Sequence, residues 1–312
     1  MAYRHIPVML NEAIHYLNCR PGKIYTDCTL GGSGHARAIC EQILPDGLLI
    51  GIDQDIDAIT NARKALQCYS SNIRLFHGNF INLPQFLAQI KIDAVDGILL
   101  DLGLSLHQLE NSGRGFSFNK DEPLDMRMDN RSATTAGDLV NDLAEEALRK
   151  IFKQYGEERW ARQIARSIVK NRRARKIRSS KELARIVGSA VPRRAQPRQQ
   201  LHPATRVFMA LRIAVNNELE VLNRFMAGVA DRLNPQGRLC VLSFHSLEDR
   251  IVKQHIKAME KGCTCPPQLP KCVCGKKAVM RSLTRRVVRA SQKEIAGNPM
   301  ARSSRLRAAE KL

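Results

Sequence analysis

The sequence predicts an α/β protein built on a doubly wound, mostly parallel sheet, and three observations lead there. Five short β-rich apolar runs occur: "GKIYTDCTL" from residue 22, "LLIGID" from 48, "IRLFHGN" from 73, "VDGILLDLG" from 95 and "GRLCVLSFHS" from 237. Helical stretches separate the first four, which is the spacing of parallel strands joined by crossover helices. The gap before the fifth run is far too long for one crossover, because βα and αβ connections are typically about 2–6 residues.

A folded insertion therefore divides the sheet domain, with 1–105 and 216–312 forming the sheet and 106–215 the insertion. The insertion reads as helical. In "AEEALRKIFKQYGEERWARQIARSIVKNRR" apolar residues recur at Leu148, Ile151, Phe152, Tyr155, Trp160, Ile164 and Ile168, close to helical spacing. "SSKELARIVGSAV" begins with a serine cap and a glutamate shortly after, and "ATRVFMALRIAVNNELEVLNRFMAGVADRL" reads as one further helical stretch. From Lys276 onward the chain is basic, poor in large aromatics and reads as partly irregular.

Charge narrows the partners. The 312 residues carry 50 Lys and Arg against 30 Asp and Glu, a net +20, which exceeds what solubility needs and points to a polyanion such as nucleic acid. No run approaches the eighteen or so apolar residues of a membrane span, and "MAYRHIPVML" lacks the apolar core of a signal peptide, so a cytoplasmic protein without a membrane partner is expected. Nine cysteines are an odd number for a disulfide framework. Cys19, Cys28, Cys40, Cys68 and Cys240 are scattered in apolar contexts, whereas Cys263, Cys265, Cys272 and Cys274 cluster in "CTCPPQLPKCVC". Two Cys-x-Cys pairs could give four thiolates to a structural zinc, or stay reduced or redox-labile.

"TDCTLGGSGHARAI", residues 26–39, is a glycine-rich strand-to-helix turn that presents backbone N–H groups and a helix N-terminus to an anionic group, phosphate or carboxylate. It lacks the Lys-Ser or Lys-Thr ending of a nucleotide P-loop. Asp53 follows about twenty residues later at the end of the second run, placed to accept from ribose hydroxyls. These features admit a dinucleotide or S-adenosylmethionine and do not choose between them.

Longer blocks do choose. "HIPVMLNEA", "GRGFSF", "PLDMRMD", "YGEER", "HPATRVFMALRIAVNNEL", "SFHSLEDRIVK" and "NPMARSSRLR" run in order through nearly the whole chain. In them the sequence resembles the bacterial 16S ribosomal RNA (cytosine-N4)-methyltransferase family of the MraW type. That resemblance implies a Rossmann-like class I S-adenosylmethionine-dependent methyltransferase sheet, with the helical insertion as its RNA-recognition domain. It also implies S-adenosylmethionine as cofactor, with contacts at Ser33, Gly34, His35, Asp53, Phe80, Asp101 and Gln108. The substrate implied is a cytidine in the decoding region of small-subunit ribosomal RNA, free or in the assembled subunit. Many family members have glycine at the place of Ser33 and a Ser-Pro pair at that of Leu106 and His107, which leaves the loop before Gln108 less rigid here.

Methylating the exocyclic N4 of cytosine requires localising a delocalised lone pair, so positioning and an acceptor for the amine proton carry the reaction. Asp101 and His245 are the candidate acceptors. The Asp/Asn-Pro-Pro-aromatic signature of many amino-group methyltransferases is missing, and "DLGLS" stands in its place. Fourteen Lys or Arg against one acid lie between Arg159 and Arg198, and "KNRRARKIR" makes Arg172, Arg173 and Arg175 candidate phosphate contacts. Two other readings are a non-catalytic RNA-binding ribosome assembly factor on a methyltransferase scaffold and an NAD-linked dehydrogenase. The oligomeric state is not legible.

Overall fold

The computed structural model describes residues 6–192, 202–263, 265–266, 268–271 and 273–312. The chain divides into two compact units, residues 1–103 with 219–312, and residues 104–218.

The first unit holds the sheet. Its strands are β1 (Ile24–Asp27), β2 (Leu48–Asp53), β3 (Ile73–His77), β4 (Val95–Asp101), β5 (Leu233–Ser243), β6 (Met280–Ser282) and β7 (Arg305–Lys311), in spatial order β3-β2-β1-β4-β5-β7-β6. β1 to β5 run parallel, and β7 is antiparallel to both β5 and β6. The predicted doubly wound α/β class is the one observed. β5 begins four residues ahead of the run read from the sequence, and the C-terminal segment, expected to be partly irregular, also supplies two strands.

Alternation along the strands makes the sheet three-layered. Leu49, Leu99, Cys240 and Leu242 face one side, where they pack with Ala13 and Leu17 of α1 (Leu10–Leu17), Ile39 and Ile43 of α2 (Gly34–Ile43), and Ile59 and Ala62 of α3 (Ile56–Ala65). Ile50, Ile52, Ile98, Leu100, Leu239 and Val241 face the other. They pack with Leu83 and Leu87 of α4 (Leu83–Gln89), with Leu222, Phe225 and Met226 of α11, and with Val252 and Ile256 of α12. The last two helices follow the insertion and span Glu218–Gly228 and Ser246–Lys261. α13 (Gln292–Gly297) and the turn after it tie the two ends of the chain together. The Glu294 carboxylate accepts from Met9 N at 2.5 Å, and Asn298 donates to the Ile6 carbonyl at 3.1 Å.

The second unit is helical: α5 (Leu106–Glu110), α6 (Ala136–Asp142), α7 (Glu145–Gln154), α8 (Ala161–Ala174), α9 (Ser180–Ala190) and α10 (Ala204–Asn216). Leu148, Phe152, Ile164, Ile168, Leu183, Val187, Val207 and Leu211 form its core. Ser179 caps α9 by accepting from Glu182 N at 3.3 Å, the cap read from the sequence. The long stretch after residue 204 is not one helix, because Asn217 turns left-handed (φ 50°) and separates α10 from α11. "GRGFSF" and "PLDMRMD" form an ordered loop. Gly115 (φ 69°) is needed there because a Cβ would lie 2.2 Å from the Pro123 carbonyl oxygen, and Arg114 donates to the carbonyls of Arg127 and Met128 at 3.0 and 3.2 Å.

Candidate functional site

The glycine turn leaves β1 at Asp27 and enters α2 at Gly34. Gly34 starts the helix because a Cβ there would lie 2.8 Å from the Pro7 ring. Ser33 sits at φ 64°, a left-handed conformation that glycine adopts without cost, and its buried hydroxyl has no hydrogen-bond partner. The turn is anchored to both neighbouring strands. Gly31 N donates to Asp53 Oδ2 at 2.9 Å, Leu30 N to the Ile52 carbonyl at 3.2 Å, and Asp101 N to Thr29 Oγ1 at 2.6 Å.

β1, β2 and β4 each end in an aspartate, at Asp27, Asp53 and Asp101. The strand order reverses between β1 and β4, and in open α/β sheets ligands bind outside the carboxyl ends of strands at such a switch point. Asp27 is 1% exposed. Burial, reinforced by the Asp53 charge and opposed by hydrogen bonds from Thr29, pushes its carboxyl up to about 7. Burial likewise pushes Asp101 well above the usual carboxylate range, with Asp27 and Glu248 adding to the effect. Asp27 Oδ2 and Asp101 Oδ1 are shut away from solvent without a hydrogen-bond partner. Two acids, each with a buried, orphaned oxygen and a raised pKa, form a site that suits a cationic ligand.

That donor set fits S-adenosylmethionine. The orphaned acids can meet its ammonium and sulfonium charges, the N-terminus of α2 its carboxylate, and Asp53 its ribose hydroxyls. Asp53 is held for the task, since Oδ1 accepts from Asp55 N at 2.8 Å while Oδ2 accepts from Gly31 N at 2.9 Å. Asp27 is the functional candidate that the sequence reading missed. Its signal in the sequence is that, like Asp53 and Asp101, it is a carboxylate closing a parallel strand.

The other candidates have defined places. His35 is buried at the start of α2, with Nε2 3.0 Å from the Val8 carbonyl oxygen and Nδ1 3.5 Å from Asp101 Oδ2. Phe80 is 9% exposed in the core, its ring edge-on to Phe225 at 5.1 Å between centroids. Gln108 belongs to the second unit. It is buried and closes a capping box with Ser105, accepting from Ser105 N at 3.0 Å, so the segment before it is fixed without the proline. His245 caps α12: Nδ1 accepts from Glu248 N at 3.4 Å, and Nε2 stands 3.1 Å from Glu248 Oε1.

Of the three arginines in the basic run, Arg172 is committed to the fold. Its guanidinium donates to the Val140 and Leu143 carbonyls at 2.7 and 2.6 Å, closing the C-terminal end of α6. Arg175 pairs at the surface with Glu182 at 3.0 Å, and Arg173 is exposed. A different basic set lines a cleft of about 500 Å³ on α8 and α9. Arg162, Arg166 and Lys170, one helical turn apart and exposed, line it with Gln163, Ser167 and Ala190. Of the clustered cysteines, Cys263, Cys265 and Cys274 converge, with sulfurs within 4.8 Å of one another. Cys272 lies outside the described residues. Among the described residues no helix is long and apolar enough to cross a membrane.

Proteins similar to this chain in sequence are named methyltransferases. The model of the MraW methylase family matches residues 2–312. Proteins named ribosomal RNA small subunit methyltransferase H are 55% identical in Desulfosudis oleivorans, over all of both chains, and 55% identical in Desulforapulum autotrophicum, over 99% of each. The protein of that name from Geobacter sulfurreducens is 52% identical over all of both chains. With a family match that runs from the glycine turn through the insertion to the last strand, this chain belongs to the MraW methylase family.

Proposed function

We propose that this protein transfers a methyl group from S-adenosylmethionine to N4 of a cytidine in the decoding region of small-subunit ribosomal RNA. The observation that carries the reading is the pair of acids with buried, orphaned oxygens, Asp27 and Asp101, beside the glycine turn of a methylase-family sheet. The names of the relatives support small-subunit ribosomal RNA as the substrate. The cytidine N4 target follows from the resemblance of the long blocks. The reaction belongs to the cytoplasm, where the small subunit is built.

S-adenosylmethionine supplies an electrophilic methyl group on sulfonium. Asp27 and Asp101 hold the cationic end, the Ser33, Gly34 and His35 segment receives the carboxylate, Asp53 takes the ribose, and Phe80 offers an apolar edge to the adenine. Asp101 is the acceptor for the N4 proton, as the carboxylate that closes β4 at the point where the strand order reverses. His245 positions α12 through Glu248 and reaches the chemistry only indirectly. The helical unit, 104–218, binds RNA by phosphate contact at Arg162, Arg166, Lys170 and Arg173, which orients the substrate without reading its sequence.

The test is incubation of the purified protein and labelled S-adenosylmethionine with free small-subunit ribosomal RNA or with assembled subunits, followed by nucleoside analysis. N4-methylcytidine is the expected product. Label on C5 of cytosine, on another base or on protein would overturn the reading. RNA binding without methyl transfer to either substrate would instead make the protein an assembly factor on a methyltransferase scaffold.

A further inference from the structure

We propose that the thiolates of Cys263, Cys265 and Cys274 bind a single zinc-class divalent cation, which staples the loop between α12 and β6. Cys263 and Cys274 have sulfurs 3.8 Å apart, and all three sulfurs lie within 4.8 Å of one another. A tetrahedral zinc with bonds of about 2.3 Å to sulfur has S···S edges of about 3.8 Å, so the observed spacing is that of ligands around one ion. Val273 N donates to Cys265 Sγ at 3.4 Å, the backbone contact that offsets charge on a metal-bound thiolate.

The loop needs such a staple. Its described residues between Gly262 and Lys277 form no helix or strand, and Leu269 and Val273 face solvent at 44% and 77% exposure. The ends are brought together tightly. Gly262, at φ 65°, lies where a Cβ would be 2.3 Å from the Lys277 carbonyl carbon, and Gly275 also takes a positive φ, 63°. Residues 261–277 contain four lysines and no acid, which offsets the negative charge of a polythiolate centre. Soft sulfur donors select zinc-class ions over magnesium or calcium, and binding releases the thiol protons to solvent. The site is far along the chain from the glycine turn and has no open-water role in methyl transfer, so the cation is structural. The inference does not depend on the methyltransfer reading.

The experiment is elemental analysis of the full-length protein purified without chelator, then loaded with Zn²⁺ alone and dialysed. About one zinc per chain is expected, falling to about a tenth of that in Cys263→Ser and Cys274→Ser, while Cys68→Ser, a change at an exposed cysteine elsewhere, keeps full occupancy. Because a serine variant could misfold, a second measurement uses the unmodified protein. Cobalt(II) in place of zinc should give intense near-ultraviolet thiolate-to-metal charge-transfer bands, and mercurial titration of the thiols should release the metal. A wild-type protein that stays metal-free after loading, that retains full zinc in both cysteine variants, or that forms a Cys263–Cys274 disulfide in preference to binding zinc would overturn the proposal.

Discussion

Asp101 Oδ2 lies 3.5 Å from Nδ1 of His35, so the start of α2 approaches the end of β4. His35 Nε2 stands 3.0 Å from the Val8 carbonyl, which can only accept, so Nε2 carries a hydrogen and Nδ1 is left to face the carboxyl. The carboxyl it faces is pushed up by burial, Asp27 and Glu248. A ligand that brings positive charge to this site favours the ionised carboxyls.

Binding of S-adenosylmethionine should accordingly be coupled to pH. Asp27 titrates near 7 in the free protein against an ordinary 3.8, so the cation binds better once that proton is gone. Affinity is expected to rise from pH 6 to pH 8, with release of protons on binding. The ligand-free protein has the opposite trend. Below the ordinary carboxyl pKa both folded and unfolded chains are protonated, whereas above it only the unfolded chain ionises readily, so stability is lost as pH rises toward 7. Calorimetric titration in buffers of different ionisation enthalpy measures the proton release. A pH-independent affinity in the wild type, or the same slope in Asp27→Asn, would contradict the coupling.

Asp101 and His245 are separable as proton acceptors. Asparagine at 101 keeps the shape but cannot take a proton, and loss of a general base typically costs about 10²–10⁴-fold in rate. Asp101→Asn should therefore lose methyl transfer on that scale in single-turnover assays. His245→Asn should lose little, because asparagine is a good N-cap and can replace the imidazole acceptor for Glu248 N. The reverse ranking would move the base to His245.

Ser33→Gly should stabilise the protein. The left-handed backbone costs a non-glycine residue roughly 1–2 kcal/mol, and the buried hydroxyl is without a partner, while added glycine entropy costs about 0.4–1 kcal/mol. A net gain near 1 kcal/mol corresponds to a rise in Tm of about 2 °C for a chain of this size. Thermal unfolding with and without S-adenosylmethionine checks it. A fall in Tm with unchanged ligand affinity would show that the hydroxyl has a structural role.

The sheet was legible where strands are β-rich and bounded by Gly or Asp, as in "LLIGID" and "VDGILLDLG". β7 was not, because "RLRAAEK" buries Leu306, Ala308 and Ala309 through an arginine- and alanine-rich strand without β-branched residues. The break at Asn217 carries no Gly or Pro to announce it. At the site, Asp53 and Asp101 could be read from their positions after strands. The raised pKa of Asp27 arises from burial and from Asp53, a neighbour that only folding supplies. In the basic run, charge counts alone could not distinguish an arginine that closes a helix from one that faces solvent.

That distinction gives the last prediction. Arg172 holds two carbonyls at the end of α6, and hydrogen bonds from charged groups contribute about 1.5–3 kcal/mol, so Arg172→Ala should lower stability by roughly that amount. Any effect on RNA should follow from partial unfolding and disappear when binding is corrected for the folded fraction. Arg162, Arg166 and Lys170 line their cleft as exposed side chains, and changing all three to alanine should leave stability within about 0.5 kcal/mol per site. The triple variant should bind single-stranded ribosomal RNA more weakly, with a log–log salt slope reduced by about 0.7 for each lost contact, or roughly 2 in all. Its affinity for S-adenosylmethionine should not change. Denaturant unfolding, salt-dependent RNA titration and ligand calorimetry on the two variants measure the three quantities. An Arg172→Ala protein that is fully stable but defective in RNA binding, beside a triple variant with an unaltered salt slope, would return the phosphate contacts to the end of α8 and remove them from its exposed face.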